Sequence, residues 1–179
     1  MPAGYAKNFP SNFPRLGTNY LKKSSDTDQY NCIAWAMSEC HRPWWPGSEP
    51  AGYWPPDLPH DETIDNFVEA FRRKGYELCA GAHHEWLFEK VAIYADLKGV
   101  PTHAARQSWR GVWISKLGQN VDISHATLRH LEDGLYGSVV LVMKRKWTVE
   151  RFTTALRLRL KTSARLDKLL GRKVIGSTP

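Results

Sequence analysis

Six prolines and three tryptophans fall within residues 41–60, HRPWWPGSEPAGYWPPDLPH. Proline fixes φ and removes a backbone donor, so neither a regular helix nor a central strand runs through this stretch. A chain of 179 residues has material for one core. A single domain that keeps so long an irregular loop usually employs it as a lid or a binding wall. The secondary structure must therefore be built on either side of residues 41–60, with the loop laid against it.

Upstream, residues 1–26 are rich in Pro, Asn, Ser and Gly without a sustained period and read as an irregular N-terminal arm. The run QYNCIAWAMSEC, residues 29–40, has no Gly or Pro and predicts a short helix starting near Asn31 and carrying Cys32. Downstream, Ile64, Phe67, Val68 and Phe71 follow the i, i+3, i+4, i+7 spacing, and Gly75 sits where a helix stops, so a helix is expected over 61–74. The period then drops toward two. Strands are expected at 76–79, 88–95, 102–107, 112–117 and 136–143, with turns at Lys98-Gly99 and Arg110-Gly111 and a short helix over 124–131. Helices first and an antiparallel sheet afterwards is an α+β layout, placed over residues 27–147, with the Cys32 helix packed on the sheet.

The net charge of +7 is unevenly spread: residues 144–173 hold eleven Lys and Arg against two acidic residues, which leaves the rest of the chain at −2. Residues 148–179 read as a basic amphipathic helix packed through Leu156, Leu160 and Leu166. Its charges are the one feature that would attract nucleic acid, an acidic protein or anionic lipid, although no base-reading motif accompanies them. No apolar run approaches the roughly 20 residues of a membrane span, and residues 1–13 lack the order of a signal peptide. Three cysteines are too few for a disulfide scaffold, so a reducing, cytoplasmic setting is expected, or delivery by a dedicated secretion machine.

A thiol nucleophile wants a helix N-terminus and a neighbouring imidazole. Cys32 opens the expected helix after Gln29 and Asn31, both able to help hold an oxyanion, and His103, within THAARQ on an expected strand, is the natural partner. The competing reading is a buried structural cysteine and a structural histidine. Trp44, Trp45 and Trp54 either wall a substrate groove beside Cys32 or glue the proline-rich loop to the helix. Cys40-His41 with Cys79, His83 and His84 offer zinc-type ligands, but in no known finger or ribbon spacing, and no metal or other cofactor is expected.

Cys32 at a helix start followed by Ala34, Trp35 and Ala36, with antiparallel strands and a histidine behind it, resembles the papain-like cysteine peptidase superfamily. As an ordered set, YNCIAWA, WWPG, EKVAIYA, THAARQ, W-x-SKLG and DISH resemble a bacterial family of unassigned function, over roughly residues 28–143. The superfamily resemblance implies a papain-like fold with Cys32 as nucleophile and His103 as general base. The group orienting His103 is then Asp122, with Asn120 and Ser115 as alternatives; Asp122 or Ser124 acting as a helix N-cap competes with that role. The chain departs from the cell-wall amidase branch, which carries a histidine where Lys90 stands. The implied function is a thiol hydrolase acting on an amide bond in a peptide or amide-bearing substrate. The alternatives are a catalytically inactive binding or immunity module and a nucleic-acid-associated protein.

Overall fold

In the computed structural model, residues 11–149 are described. The chain divides into two units, residues 1–145 and 146–179. The basic helix expected over residues 148–179 lies, apart from residues 148 and 149, outside the described residues.

Seven strands form one sheet: β1 (Tyr20–Lys22), β2 (Glu77–Cys79), β3 (Phe88–Ala95), β4 (Pro101–Gln107), β5 (Trp113–Lys116), β6 (Asp122–His125) and β7 (Ser138–Lys146), in the spatial order β1-β6-β5-β4-β3-β7-β2. β3, β4, β5, β6 and β1 follow one another by antiparallel pairing, and β2 pairs antiparallel with β7. Among the described residues two α-helices accompany them, α1 (Cys32–Ala36) and α2 (Ile64–Arg72), with a 3₁₀ turn at Leu128–Leu131.

The fold is thus largely β, and the expected α+β, papain-like architecture is wrong. Two local causes account for it. α1 stops after five residues because Ser38 takes a left-handed φ of 66° and the proline-rich loop follows. The helix expected over 124–131 gives its first residues to β6 and keeps only the 3₁₀ turn.

Alternation along β3 and β4 divides the core into two layers. Val91, Ile93 and Ala104 pack with Cys32, Ile33, Phe67 and Phe71 on the face covered by α1, α2 and the tryptophan loop. Ala92, Tyr94 and Ala105 pack on the other face with Phe13, Leu16, Leu128, Leu131 and Tyr136. The segment expected as an irregular arm therefore contributes two core residues and strand β1. Gly137, at a φ of 70°, closes the second layer; a Cβ there would collide with the Ala95 carbonyl.

The hairpin between β4 and β5 sets the register of the candidate residues. Arg110-Gly111 as the two central residues would place His103 opposite Gly118. Instead Gln107 pairs with Trp113 and Ala105 with Ser115, leaving Trp109-Arg110-Gly111 as a three-residue loop with Gly111 left-handed. The slip is one residue.

Candidate functional site

Asn31 caps α1 in extended conformation, its Oδ1 accepting the Ala34 N–H at 2.9 Å and the Trp44 N–H at 3.1 Å while its Nδ2 donates to the Trp44 carbonyl at 2.7 Å. This side chain ties the helix start to the tryptophan loop and has little capacity left for an oxyanion. Gln29 is exposed on the preceding loop, its own N–H directed at Thr27 Oγ1.

Cys32 is the first residue of α1 and is 1% exposed. The backbone groups of Ala104, Ile33 and Cys32 itself favour its thiolate, as does the Lys116 charge, but burial outweighs them and pushes the thiol up to about 11. It is a protonated, enclosed thiol at neutral pH.

His103 lies on the other face of β4. Its side chain is fully buried, stacked on Tyr136 with ring centroids 4.0 Å apart and edge-on to Tyr94 at 5.3 Å. Neither ring nitrogen has a hydrogen-bond partner among the described residues, and burial together with His125 holds the imidazole well below the usual histidine range. It is neutral and faces away from Cys32, whose sulfur meets the backbone of Ala104, the next residue along the strand.

Asp122 is on Cys32's side of the sheet. It pairs with Lys116 across β5 and β6, and its Oδ2 accepts the Tyr30 hydroxyl at 3.0 Å. It sits in a strand and does not orient His103; burial pushes its carboxyl up. Lys116, itself enclosed, donates to the carbonyls of Thr27 and Asn120, so Asn120 contributes a backbone group here.

Ser115, the third alternative, is bonded to a different histidine. Its Oγ lies 2.9 Å from His125 Nε2, and His125 Nδ1 lies 2.8 Å from the Thr127 carbonyl. A carbonyl only accepts, so the proton is on Nδ1 and Nε2 accepts from Ser115. Burial lowers His125 to about 4. The sequence signal for this pair was the hairpin register: once Ala105 faces Ser115, Trp113 and Ser115 share a face with His125, which pairs with Trp113. Both side chains are enclosed, at 0% and 2% exposure, which makes them a brace between β5 and β6.

The tryptophans divide. Trp44 and Trp54 are buried, Trp54 donating its Nε1–H to the Pro59 carbonyl at 2.9 Å and packing on Phe67 at 5.1 Å. Trp45 is half-buried, edge-on to Phe67, and donates its Nε1–H to Glu62 at 2.7 Å. Among the described residues no set of three His, Cys, Asp or Glu side chains is arranged to hold a metal ion. His83 instead faces Glu85, and His84 donates to the Trp109 carbonyl. No helix among the described residues is long and apolar enough to cross a membrane.

The family described as Domain of unknown function (DUF7689) matches residues 21–144, from within β1 to within β7. The chain belongs to the DUF7689 family. No curated protein and no solved structure matches it.

Within the DUF7689 segment, the open concavity beside α1 is a groove of about 350 Å³, whose walls include Tyr30, Asn31, Trp45, Pro46, Glu62 and Gln119. Asp28 adds a second carboxylate at its edge, and no Lys, Arg or His lines it among the described residues.

Proposed function

We propose that this DUF7689 chain is a binding module which holds a cationic side chain of a peptide in the groove beside the tryptophan loop, rather than a thiol hydrolase. The observation that carries the reading is the groove's composition: two carboxylates, Asp28 and Glu62, with the rings of Tyr30 and Trp45 and no basic lining residue. Carboxylates and aromatic faces together recognise ammonium or guanidinium groups. The Trp45 to Glu62 bond supports this by fixing one wall in advance, leaving the second Glu62 oxygen for a ligand.

The amide-hydrolase alternative has less support. A nucleophile, its base and an oxyanion site must meet around one reacting carbon, whereas Cys32 and His103 lie on two faces of β4 and are both closed to solvent. Three free thiols support a reducing compartment as the working environment.

The test follows the Trp45 indole N–H resonance of the full chain while a short lysine-containing peptide is added. A saturable shift is expected, weakened about tenfold by Glu62→Gln or by norleucine in place of lysine. Equal binding of the lysine and norleucine peptides would overturn the reading. In parallel, Cys32 should resist iodoacetamide in the folded protein. Rapid alkylation at acidic pH that is slowed by His103→Ala would restore the hydrolase instead.

A further inference from the structure

A second cleft, of about 500 Å³, opens on the other side of the sheet. The residues that define its chemistry are Gln107 at the end of β4, Trp113 at the start of β5, and Arg129 and Glu132 on and after the 3₁₀ turn, with the loop at 82–84 opposite.

Gln107 is 2% exposed, and its Nε2 donates to two carbonyls, Ala82 at 3.1 Å and Gly111 at 3.2 Å. Both N–H bonds are spent, which fixes the amide: turning it over would set Oε1 against two carbonyl oxygens. Gln107 lines the cleft, and its Oε1 is a closed-off acceptor with no partner among the described residues, reached from the cleft only by a small shift of the lining. Such a group needs a donor, and buried polar atoms rarely go without one.

Arg129 stands at the exposed rim and has no carboxylate within salt-bridge distance among the described residues. Glu132 is already engaged through Oε1 with the Val139 N–H. Trp113, 3% exposed, adds an apolar ring to the lining.

We infer that this cleft is a binding site for an amide N–H next to a carboxylate, the group found at a peptide C-terminus and in an N-acyl amino acid. The N–H donates to Gln107 Oε1 at depth, and the carboxylate meets the Arg129 guanidinium at the rim. A dianion such as phosphate fits less well, because the Glu132 carboxylate shares the wall. The cleft is separate from the groove of the proposed function, and either assignment stands if the other fails.

The experiment uses small probes on the full, isotope-labelled chain and reads the Gln107 side-chain amide and Arg129 signals. N-acetylglycine should shift both saturably at millimolar concentrations. N-acetylsarcosine, which lacks the N–H, and N-acetylglycine methyl ester, which lacks the charge, should each bind about tenfold more weakly. Arg129→Ala, at an exposed position, should erase the preference for acid over ester. Triglycine binding more tightly than N-acetylglycine, with triglycinamide weak, assigns the site to peptide C-termini; the reverse order assigns it to small N-acyl amino acids. The inference is overturned if all probes bind alike, or if neither N-acetylglycine nor triglycine shifts these signals, which would leave Oε1 to water alone.

Discussion

The two faces of this sheet differ in which titratable groups they bury: a carboxylate between arginines on one, and imidazoles and a lysine on the other. On the α1 side charge is kept and paired. Glu89, 2% exposed, accepts the Tyr76 hydroxyl at 2.9 Å and the Arg145 Nε–H at 2.6 Å, with Arg106 at 3.6 Å from its other oxygen. Both arginines also donate to Ser38 Oγ, so the residue that ends α1 is bound into the network. On the opposite side the buried Lys90 pairs with the half-buried Glu85, and two buried imidazoles are held neutral, His125 with two partners and His103 with none among the described residues. One strand, β4, supplies both faces from adjacent positions, and a period of two is enough to separate a thiol from the imidazole expected to serve it.

The largest test of this contrast is Glu89→Leu. It strands Arg145, whose side chain is 2% exposed, beside a second arginine, and removing one partner of a buried pair costs about 3–5 kcal/mol. The urea midpoint should fall accordingly. Adding Arg145→Met should recover the part of the loss owed to Arg145, while Arg106, less deeply buried, still lacks its carboxylate. A loss below about 1 kcal/mol for the single variant would mean water reaches the arginines and the network is not closed.

Acid is the next lever, and it acts on the other face. His125 titrates near 4 in the folded chain against an ordinary value of 6.5, because burial penalises the cation. Between those values the unfolded chain binds more protons, so stability is complete above about 6.5 and falls as the pH drops toward 4. A shift of this size corresponds to roughly 3 kcal/mol from His125, and His103 adds to it in the same direction. Asp122 on the α1 side works the opposite way: its raised carboxyl value makes the folded chain the better proton binder, so acid relieves it. Urea melts across this range should therefore show a net acid loss, largely removed in a His103→Phe/His125→Gln variant. An unchanged acid slope in that variant would place the titration elsewhere.

Much of the framework was legible because period-two patterning survives in long strands. Residues 88–95 were expected as a strand and are β3, and the i, i+3, i+4, i+7 set marked α2 inside 61–74. β6 escaped notice because all four of its residues are buried, which removes the alternation a half-exposed strand displays. The short helix expected from Asn31 is present as α1, but five residues followed by a left-handed serine are too few for the helical layer of an α+β fold. At the candidate site, the sequence showed Cys32 at a helix start, but the face of β4 on which α1 settles is a tertiary choice that local pattern does not encode. The partner of Ser115 hung on whether the hairpin loop held two or three residues, and a slip of one moves a whole strand to the other face.

The smallest expected effect is the most discriminating. His103 contributes ring packing on Tyr136 and Tyr94, while its two nitrogens, buried without partners among the described residues, oppose folding. Phenylalanine keeps a flat ring in that stack and discards both nitrogens. His103→Phe should therefore leave stability unchanged at neutral pH or raise it by about 1 kcal/mol. The gain should grow at mildly acidic pH, where the wild-type imidazole is under pressure to take a proton that its surroundings refuse. Cys32, on the other face, should remain as slow toward iodoacetamide as before. A destabilisation of about 2 kcal/mol or more would instead reveal that His103 holds a buried hydrogen bond, through water or a residue outside those described. The contrast between a paired carboxylate on one face and neutral imidazoles on the other would then fail at the residue chosen to define it.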